Sequence, residues 1–362
     1  IEQKKVAALQ TQLESGGAAG KAWQVCLYAC YAPLYRLKNA VPIADALASV
    51  PDVSDVLRAQ VLDYLALQEM ADQISTITKI EAGVSAAVRN QYEEFPYPLW
   101  KAKPGNVTDE GAGAPLKKNG AKILVAGCGT GSEAAQAAVV FPESVILGVD
   151  LSRASLAYGA LKAREFNLSN IEFAQGDILN LSSIKRSFDG IFSGGVLHHL
   201  EDPVRGWKVL TELLNPGGLM RISLYSETAR RNIVRAHDII RKGGYAATTE
   251  GMKTFRQDSP RLLPWEVFHD IARIEDYYQL AMYRDMLFHV QEHRFDLLKI
   301  GEVMAGLSLK FLRMSVSPGL MAQFRAAYPD DPEGKDLGNW HDFEKKNPDA
   351  FICMYQFWCQ KT

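Results

Sequence analysis

A chain of 362 residues, 47% hydrophobic and 23% charged, is long enough to bury a large core and should divide into two or three units. Its net charge of −2 offers no general attraction to nucleic acid or to a membrane surface, and no apolar run is long enough to span a bilayer. Its five cysteines, Cys26, Cys30, Cys128, Cys353 and Cys359, show neither C-x-x-C spacing nor a paired-histidine pattern, so no disulfide framework and no metal centre are expected. No signal-peptide pattern opens the chain, and a cytoplasmic location is expected. Ile1 stands where a Met would open a complete protein, as expected of a piece whose upstream part holds repeats or a helical domain.

Residues 1–89 carry helical periodicity, with apolar Val56, Leu57, Val61, Leu62, Leu65 and Leu67 between polar positions and breaks at Gly16-Gly17, Pro42 and Pro51. They predict a helical N-terminal domain without a chemical signature. Residues 90–120 read as an aromatic strap followed by an exposed linker: Asn90 to Trp100 holds Tyr92, Tyr97, two acids and two prolines, and the X-Pro pairs predict extended backbone. The core follows at 121–226. The apolar run Ile123 to Ala126 enters Gly127-Cys128-Gly129-Thr130-Gly131, and a helix-compatible stretch begins at Ser132.

Alternating glycines let the chain turn tightly and approach a ligand with its backbone, while the N–H groups of the next helix point at an anion. A dinucleotide fingerprint needs a third glycine where Ser132 stands, so a nicotinamide cofactor is not expected. A second apolar strand ends in Asp150, nineteen residues after Gly131, and an acid there can accept both hydroxyls of a ribose. A third strand ends in Asp177-Ile178, and a fourth, Phe188 to Ser193, runs into Gly194 and His198-His199. Asn215-Pro216-Gly217-Gly218 turns into a fifth, Leu219 to Tyr225. Residues 227–290 predict a helical insertion with a basic stretch at Arg230, Arg231 and Arg235, and 291–362 return to the core with a helix from Asp296 to Gly306 and two last strands, Leu309 to Val316 and Phe351 to Gln360.

The G-x-G-x-G loop, the acids and the strand order together resemble the class I methyltransferases that use S-adenosyl-L-methionine (SAM). The resemblance implies an α/β, Rossmann-like, seven-stranded sheet with an N-terminal helical domain and a helical insertion before the last two strands, which pair as a reversed hairpin. It implies cofactor contacts from Gly127, Cys128, Gly129 and Gly131, from Asp150 and Leu151 at the ribose, from Asp177 and Ile178 at the adenine, and from Gly194. The family usually has Asp or Glu where Val125 stands, an acid that helps position the methionine end, so that task must fall to other groups. Tyr92 and Tyr97 are candidates, because Asn90 to Trp100 resembles the QYEENPYPRW segment of bacterial methyltransferases often linked to tetratricopeptide repeats.

Some members of that bacterial group methylate lysines of outer-membrane proteins, and Asp285 to His289 resembles their D-x-(F/L)-(L/F)-H segment. The expected reaction is attack by a nucleophile of a protein side chain or a small molecule on the sulfonium methyl, with His198, His289 or Glu292 as candidate general base. A SAM-binding regulatory or scaffolding module without transfer activity is the alternative. No nucleic-acid or membrane partner is expected.

Overall fold

The computed structural model describes residues 2–16, 21–94, 96, 98–100, 102–105, 111–351 and 354–362. They divide into two compact units, Ile1–Gln73 and Ile74–Thr362. The first contains α1 (Glu2–Glu14), α2 (Ala22–Ala29), α3 (Ala40–Ala46), α4 (Pro51–Leu57) and α5 (Asp63–Gln73). Leu13, Val25, Leu34, Ile43, Leu57 and Val61 form its core. A π-helical turn, Arg58–Leu62, joins α4 to α5. The wider turn shifts the phase of the apolar stripe, and Leu62 and Leu65, two of the apolar positions of that periodicity, are exposed.

The second unit is built on one sheet. In chain order its elements are β1 (Ser75–Thr76), α6 (Val84–Glu94), β2 (Lys122–Ala126), α7 (Ser132–Val140), β3 (Val145–Asp150), α8 (Arg153–Glu165), β4 (Ile171–Gln175), β5 (Phe188–Gly194), α9 (Pro203–Leu213) and β6 (Leu214–Tyr225). Then come α10 (Arg231–Gly243), α11 (Thr249–Leu262), α12 (Trp265–Ala272), α13 (Leu280–Phe288), α14 (Leu297–Gly306), β7 (Leu309–Met314), α15 (Pro318–Ala327), α16 (Leu337–Lys346) and β8 (Met354–Lys361). The strand order is β1-β4-β3-β2-β5-β6-β8-β7. Neighbours from β1 to β6 run parallel, and β8 enters antiparallel to both β6 and β7.

Burial explains the central strands. Four of the five residues of β2 are fully buried, as a strand covered on both faces requires. Leu124 and Ala126 pack with α9 and α14, whereas Ile123 and Val125 pack with α7 and α8. Short caps start the helices: the Ser152 hydroxyl accepts the Ser155 N–H (3.1 Å), and the Asp202 carboxylate accepts the Arg205 N–H (2.9 Å). Helices α10 to α13 bury Ile240, Phe255, Val267 and Tyr283 in a core of their own.

Four expectations need correction. The sheet has eight strands rather than seven, because Ser75–Thr76 adds a short parallel edge beside Ala174 and Gln175. The last two strands are no hairpin: α15 and α16 lie between them, capped by Ser317 and Asp336. The stretch from Asn90 is helical as far as Glu94, since a proline disfavours helix chiefly at the residue before it, and the first here is Pro96. The segment read as an exposed linker contains a 3₁₀ turn, Ala114–Lys117, whose Leu116 is buried. There it meets Gly190, where a Cβ would lie 2.7 Å from a Leu116 methyl.

Candidate active site

A cavity of about 370 Å³ lies over the carboxyl ends of the parallel strands, within the second unit. Order in the sheet fixes order along the cavity. Gly176, Asp177 and Ile178 follow β4, Asp150 ends β3 with Leu151 after it, Gly127 to Gly129 follow β2, and Gly194 ends β5 with Gly195 and Val196 after it. Arg221, Ser223 and Tyr225 of β6, with Met354 and Gln356 of β8, form the far end. Such a crevice, where the strand order reverses between β2 and β5, is where open α/β sheets bind ligands.

The loop after β2 needs its glycines. Gly127, Gly129 and Gly131 have φ of 73°, 51° and 83°, in the left-handed region that side chains disfavour. A Cβ on Gly127 would sit 2.4 Å from both Val196 methyls. Gly131 does something else: it does not line the cavity, and a Cβ there would meet Phe173 at 2.9 Å and the Gly159 Cα at 3.1 Å. Its role is close packing of α7 on α8, so the expected ligand contact is withdrawn for this residue. Cys128 lines the cavity, and burial pushes its thiol well above the ordinary value.

Both predicted acids line the cavity and both also hold backbone. Asp150 Oδ2 accepts the Gly129 N–H (2.8 Å) and Oδ1 the Ser152 N–H (2.9 Å). Burial raises its pKa, and these N–H groups oppose the rise. Asp177 accepts N–H groups from Leu179 and from Glu81, each at 3.0 Å. Every carboxylate oxygen has a second lone pair, so these bonds leave acceptor capacity toward the cavity.

The strap closes on the loop from outside. Val84, Ser85, Val88 and Tyr92 of α6 line the cavity together with Pro98. Trp100 Nε1 donates to the Thr130 carbonyl (2.8 Å), and the Thr130 hydroxyl donates to the Pro98 carbonyl. Glu93 accepts N–H groups of Arg153 (2.7 Å) and Ala154 (3.2 Å) at the start of α8. Tyr97 lies outside the described residues. The Tyr92 hydroxyl, expected to face the cofactor, donates instead to Asp285 Oδ1 (2.5 Å). Burial, then Asp285, push its pKa well above the ordinary tyrosine value.

Histidines cluster behind this pair. His199 lines the cavity, and its Nδ1 donates to the Gln291 carbonyl (2.7 Å), which leaves Nε2 as the lone-pair nitrogen. His289 Nδ1 accepts the Gln291 N–H (3.1 Å), so its neutral ring carries the proton on Nε2, 3.3 Å from the Tyr92 oxygen. Burial, aided by the neighbouring His199, pulls His289 down to about 3. His199 falls to about 4, mainly through burial. Ligand-type atoms of His199, Asp285 and His289 lie within 4.8 Å of one another. The two rings, however, stack at 3.6 Å with planes 22° apart, so their lone pairs do not converge on one ion. The cluster is shaped for hydrogen bonding and proton exchange rather than for a metal.

The other base candidates are placed differently. His198 is fully buried, does not line the cavity, and stacks on Tyr225 at 3.8 Å. His289 reaches the site only through Tyr92 and His199. Glu292 is buried in an ion pair with Arg230 and also meets Arg294 at 3.3 Å. Burial raises its pKa, but Arg230 more than reverses this and keeps it below the ordinary value. Among the cavity residues that the sequence did not point to as ligand contacts are Glu133 and Arg221, while His199 and Asp285 lay in segments it did mark. The signal for His199 was the pair of His at 198 and 199, whose side chains take different directions.

Residues 117–282 match the family model described as a methyltransferase domain. The trans-aconitate 2-methyltransferase of Deinococcus radiodurans is 41% identical over 104 residues, which is 29% of this chain and 38% of that protein. The ubiquinone biosynthesis O-methyltransferase of Acinetobacter baumannii is 31% identical over 169 residues, 46% of this chain and 67% of that protein. Among solved structures, PKMT2 from Rickettsia typhi in complex with AdoHcy aligns over 79% of this chain and 53% of that one, with 18% identity and a TM-score of 0.49. The chain spans about a third of the length of the first curated relatives it matches. With a methyltransferase-domain model over 117–282 and two thirds of an O-methyltransferase matched at 31% identity, the chain belongs to the SAM-dependent methyltransferase family.

Proposed function

We propose that this chain binds SAM along the cavity and passes its methyl group to a nucleophile, on a protein side chain or a small molecule, that enters between α10 and α13. The observation that carries the reading is the cavity itself, ordered from the Asp177 end to the Arg221 end over the glycine loop. When bound, the cofactor supplies an activated methyl on a sulfonium; the protein supplies alignment and a place for a proton.

A second chamber of about 270 Å³ supports the acceptor route. Tyr225, Asp285 and Met354 line both spaces, so they form a shared wall. Arg230, Asp276 and Met286 line the chamber, and Arg231 and Asp349 lie at its more exposed side, paired at 2.8 Å. Asp285 faces both spaces and is held by Tyr92, so it can orient a donor group of an acceptor. His199, neutral at ordinary pH and with Nε2 free to accept, is the better base than His198 or Glu292.

The test has two parts. Calorimetry should show binding of S-adenosylhomocysteine, and label from isotopically marked SAM should enter either the protein or the small-molecule fraction of a cell extract. An absence of binding rejects the reading. Binding with no label in either fraction would favour a module that holds SAM without transferring it.

A further inference from the structure

Val125 leaves the methionine end of the cavity without its customary acid. Its side chain is buried among apolar groups such as Ile123, Phe192 and Trp358, on the sheet face that packs against α7 and α8. Another carboxylate lies at that end. Glu133, in the first turn of α7, lines the cavity with its side chain only 19% exposed. Its oxygens sit 3.0 and 3.3 Å from where a Cβ on Gly194 would be, so this glycine leaves the space the carboxylate fills. Arg221 of β6 faces it, with one guanidinium nitrogen 3.5 Å from Oε1.

The two charges form an open pair rather than a closed one. Among the described residues, Glu133 Oε1 and Arg221 Nε are both buried without a hydrogen-bond partner. Burial raises the Glu133 pKa, while Arg221 and the Gly194 N–H favour its charged form. Buried charges with unmet hydrogen bonds are costly. Both side chains line the cavity, so a ligand carrying an ammonium and a carboxylate on one carbon would match the two charges at once, and bonds to charged groups are the stronger kind. Asp177 and Ile178 mark the opposite end, so a nucleoside lying there directs its sulfur substituent toward β5 and β6.

We propose that Glu133 and Arg221 form the subsite for the α-amino acid end of the cofactor, Glu133 receiving the ammonium and Arg221 the carboxylate. The assignment rests on the function proposed above. It makes the acid of α7 replace the one missing from β2, with Arg221 fixing its direction. Recognition of the zwitterion, rather than of the nucleoside, then depends on these two side chains.

Calorimetry on wild type, Glu133→Gln and Arg221→Met tests this with three ligands: S-adenosylhomocysteine, its analogue lacking only the α-amino group, and 5′-methylthioadenosine. Wild type should lose roughly 10- to 100-fold in affinity when the amino group is removed, the range for a hydrogen bond to a charge. Glu133→Gln should lose a similar factor for S-adenosylhomocysteine and show little further loss with the deaminated analogue, because the two changes remove one contact. Both variants should bind 5′-methylthioadenosine as wild type does, which also reports that they are folded. An undiminished amino-group effect in Glu133→Gln would overturn the assignment. So would a wild type indifferent to the amino group, a result that needs no variant to fold. Failure of wild type to bind any of the three would overturn the methyltransferase reading and this subsite with it.

Discussion

Asp150 braces the loop it was expected only to face. Because its oxygens accept the Gly129 and Ser152 N–H groups, Asp150→Ala removes two charge-assisted bonds from the protein as well as any to a ribose. The variant should lose about 1–3 kcal/mol of stability and a comparable amount of cofactor affinity. Melting temperature and S-adenosylhomocysteine affinity measured on the same samples check this; normal stability with weak binding would show that the brace is dispensable. Gly127→Ala should be worse for the fold than an ordinary surface change, since its Cβ meets a β-branched side chain at 2.4 Å in a left-handed backbone. Equal melting temperatures would contradict it. The histidines make a pH prediction. His289 and His199 have folded values of about 3 and about 4 against about 6.5 unfolded. Between these limits the unfolded chain binds more protons, so stability is full above about pH 6.5 and falls as pH drops toward 4. Asp285 and Glu292 hold the His289 value up and so limit this loss. Thermal melts of wild type and His289→Asn across that range should show a shallower slope in the variant. Glycines at the loop were legible because a backbone angle dictates the residue. Glu133 and Arg221 were not, because each is a lone charge in its own segment and only the sheet order brings them together.

At the scale of elements, the strap and the loop form one clasp. Trp100 hangs on the Thr130 carbonyl, Thr130 on the Pro98 carbonyl, and the Tyr158 hydroxyl donates to the Trp100 carbonyl at 2.5 Å. The Trp100 ring also packs against Phe166 of the α8 carboxyl end, with centroids 5.7 Å apart. Trp100→Ala should therefore loosen both ends of the clasp, lowering S-adenosylhomocysteine affinity roughly 5- to 20-fold, about 1–2 kcal/mol. It should also speed proteolysis near residues 102–105. Wild-type affinity together with faster proteolysis would confine the clasp to a structural role. The sequence showed the aromatic and proline content of this stretch but not where helix α6 stops, because two prolines constrain only their own surroundings. Helices α15 and α16 carried readable starts at Ser317-Pro318 and Asp336, yet only the apolar runs on either side were read, as strands, and the interval between them was left without elements.

Across the whole molecule, no helix among the described residues is long and apolar enough to cross a membrane. Each unit has its own buried cluster, and every described residue of the cavity lies at position 84 or beyond. A fragment of residues 74–362 should therefore bind S-adenosylhomocysteine within about 2-fold of the full chain, a difference below about 0.5 kcal/mol. A larger loss would mean that residues 1–73 contribute to binding. The parallel half of the sheet was legible because each strand ends in a chemically marked loop; the short edge strand was not, since two residues carry no period. The position of β8 has a consequence during synthesis. It lies between β6 and β7 in the sheet but follows both in the chain, so until residues 354–361 emerge, β6 and β7 each present an unpaired edge. Such edges template pairing with other chains. A nascent or C-terminally nicked chain is thus the form most prone to aggregate, and Met354 and Gln356 complete the cavity wall only at that last step.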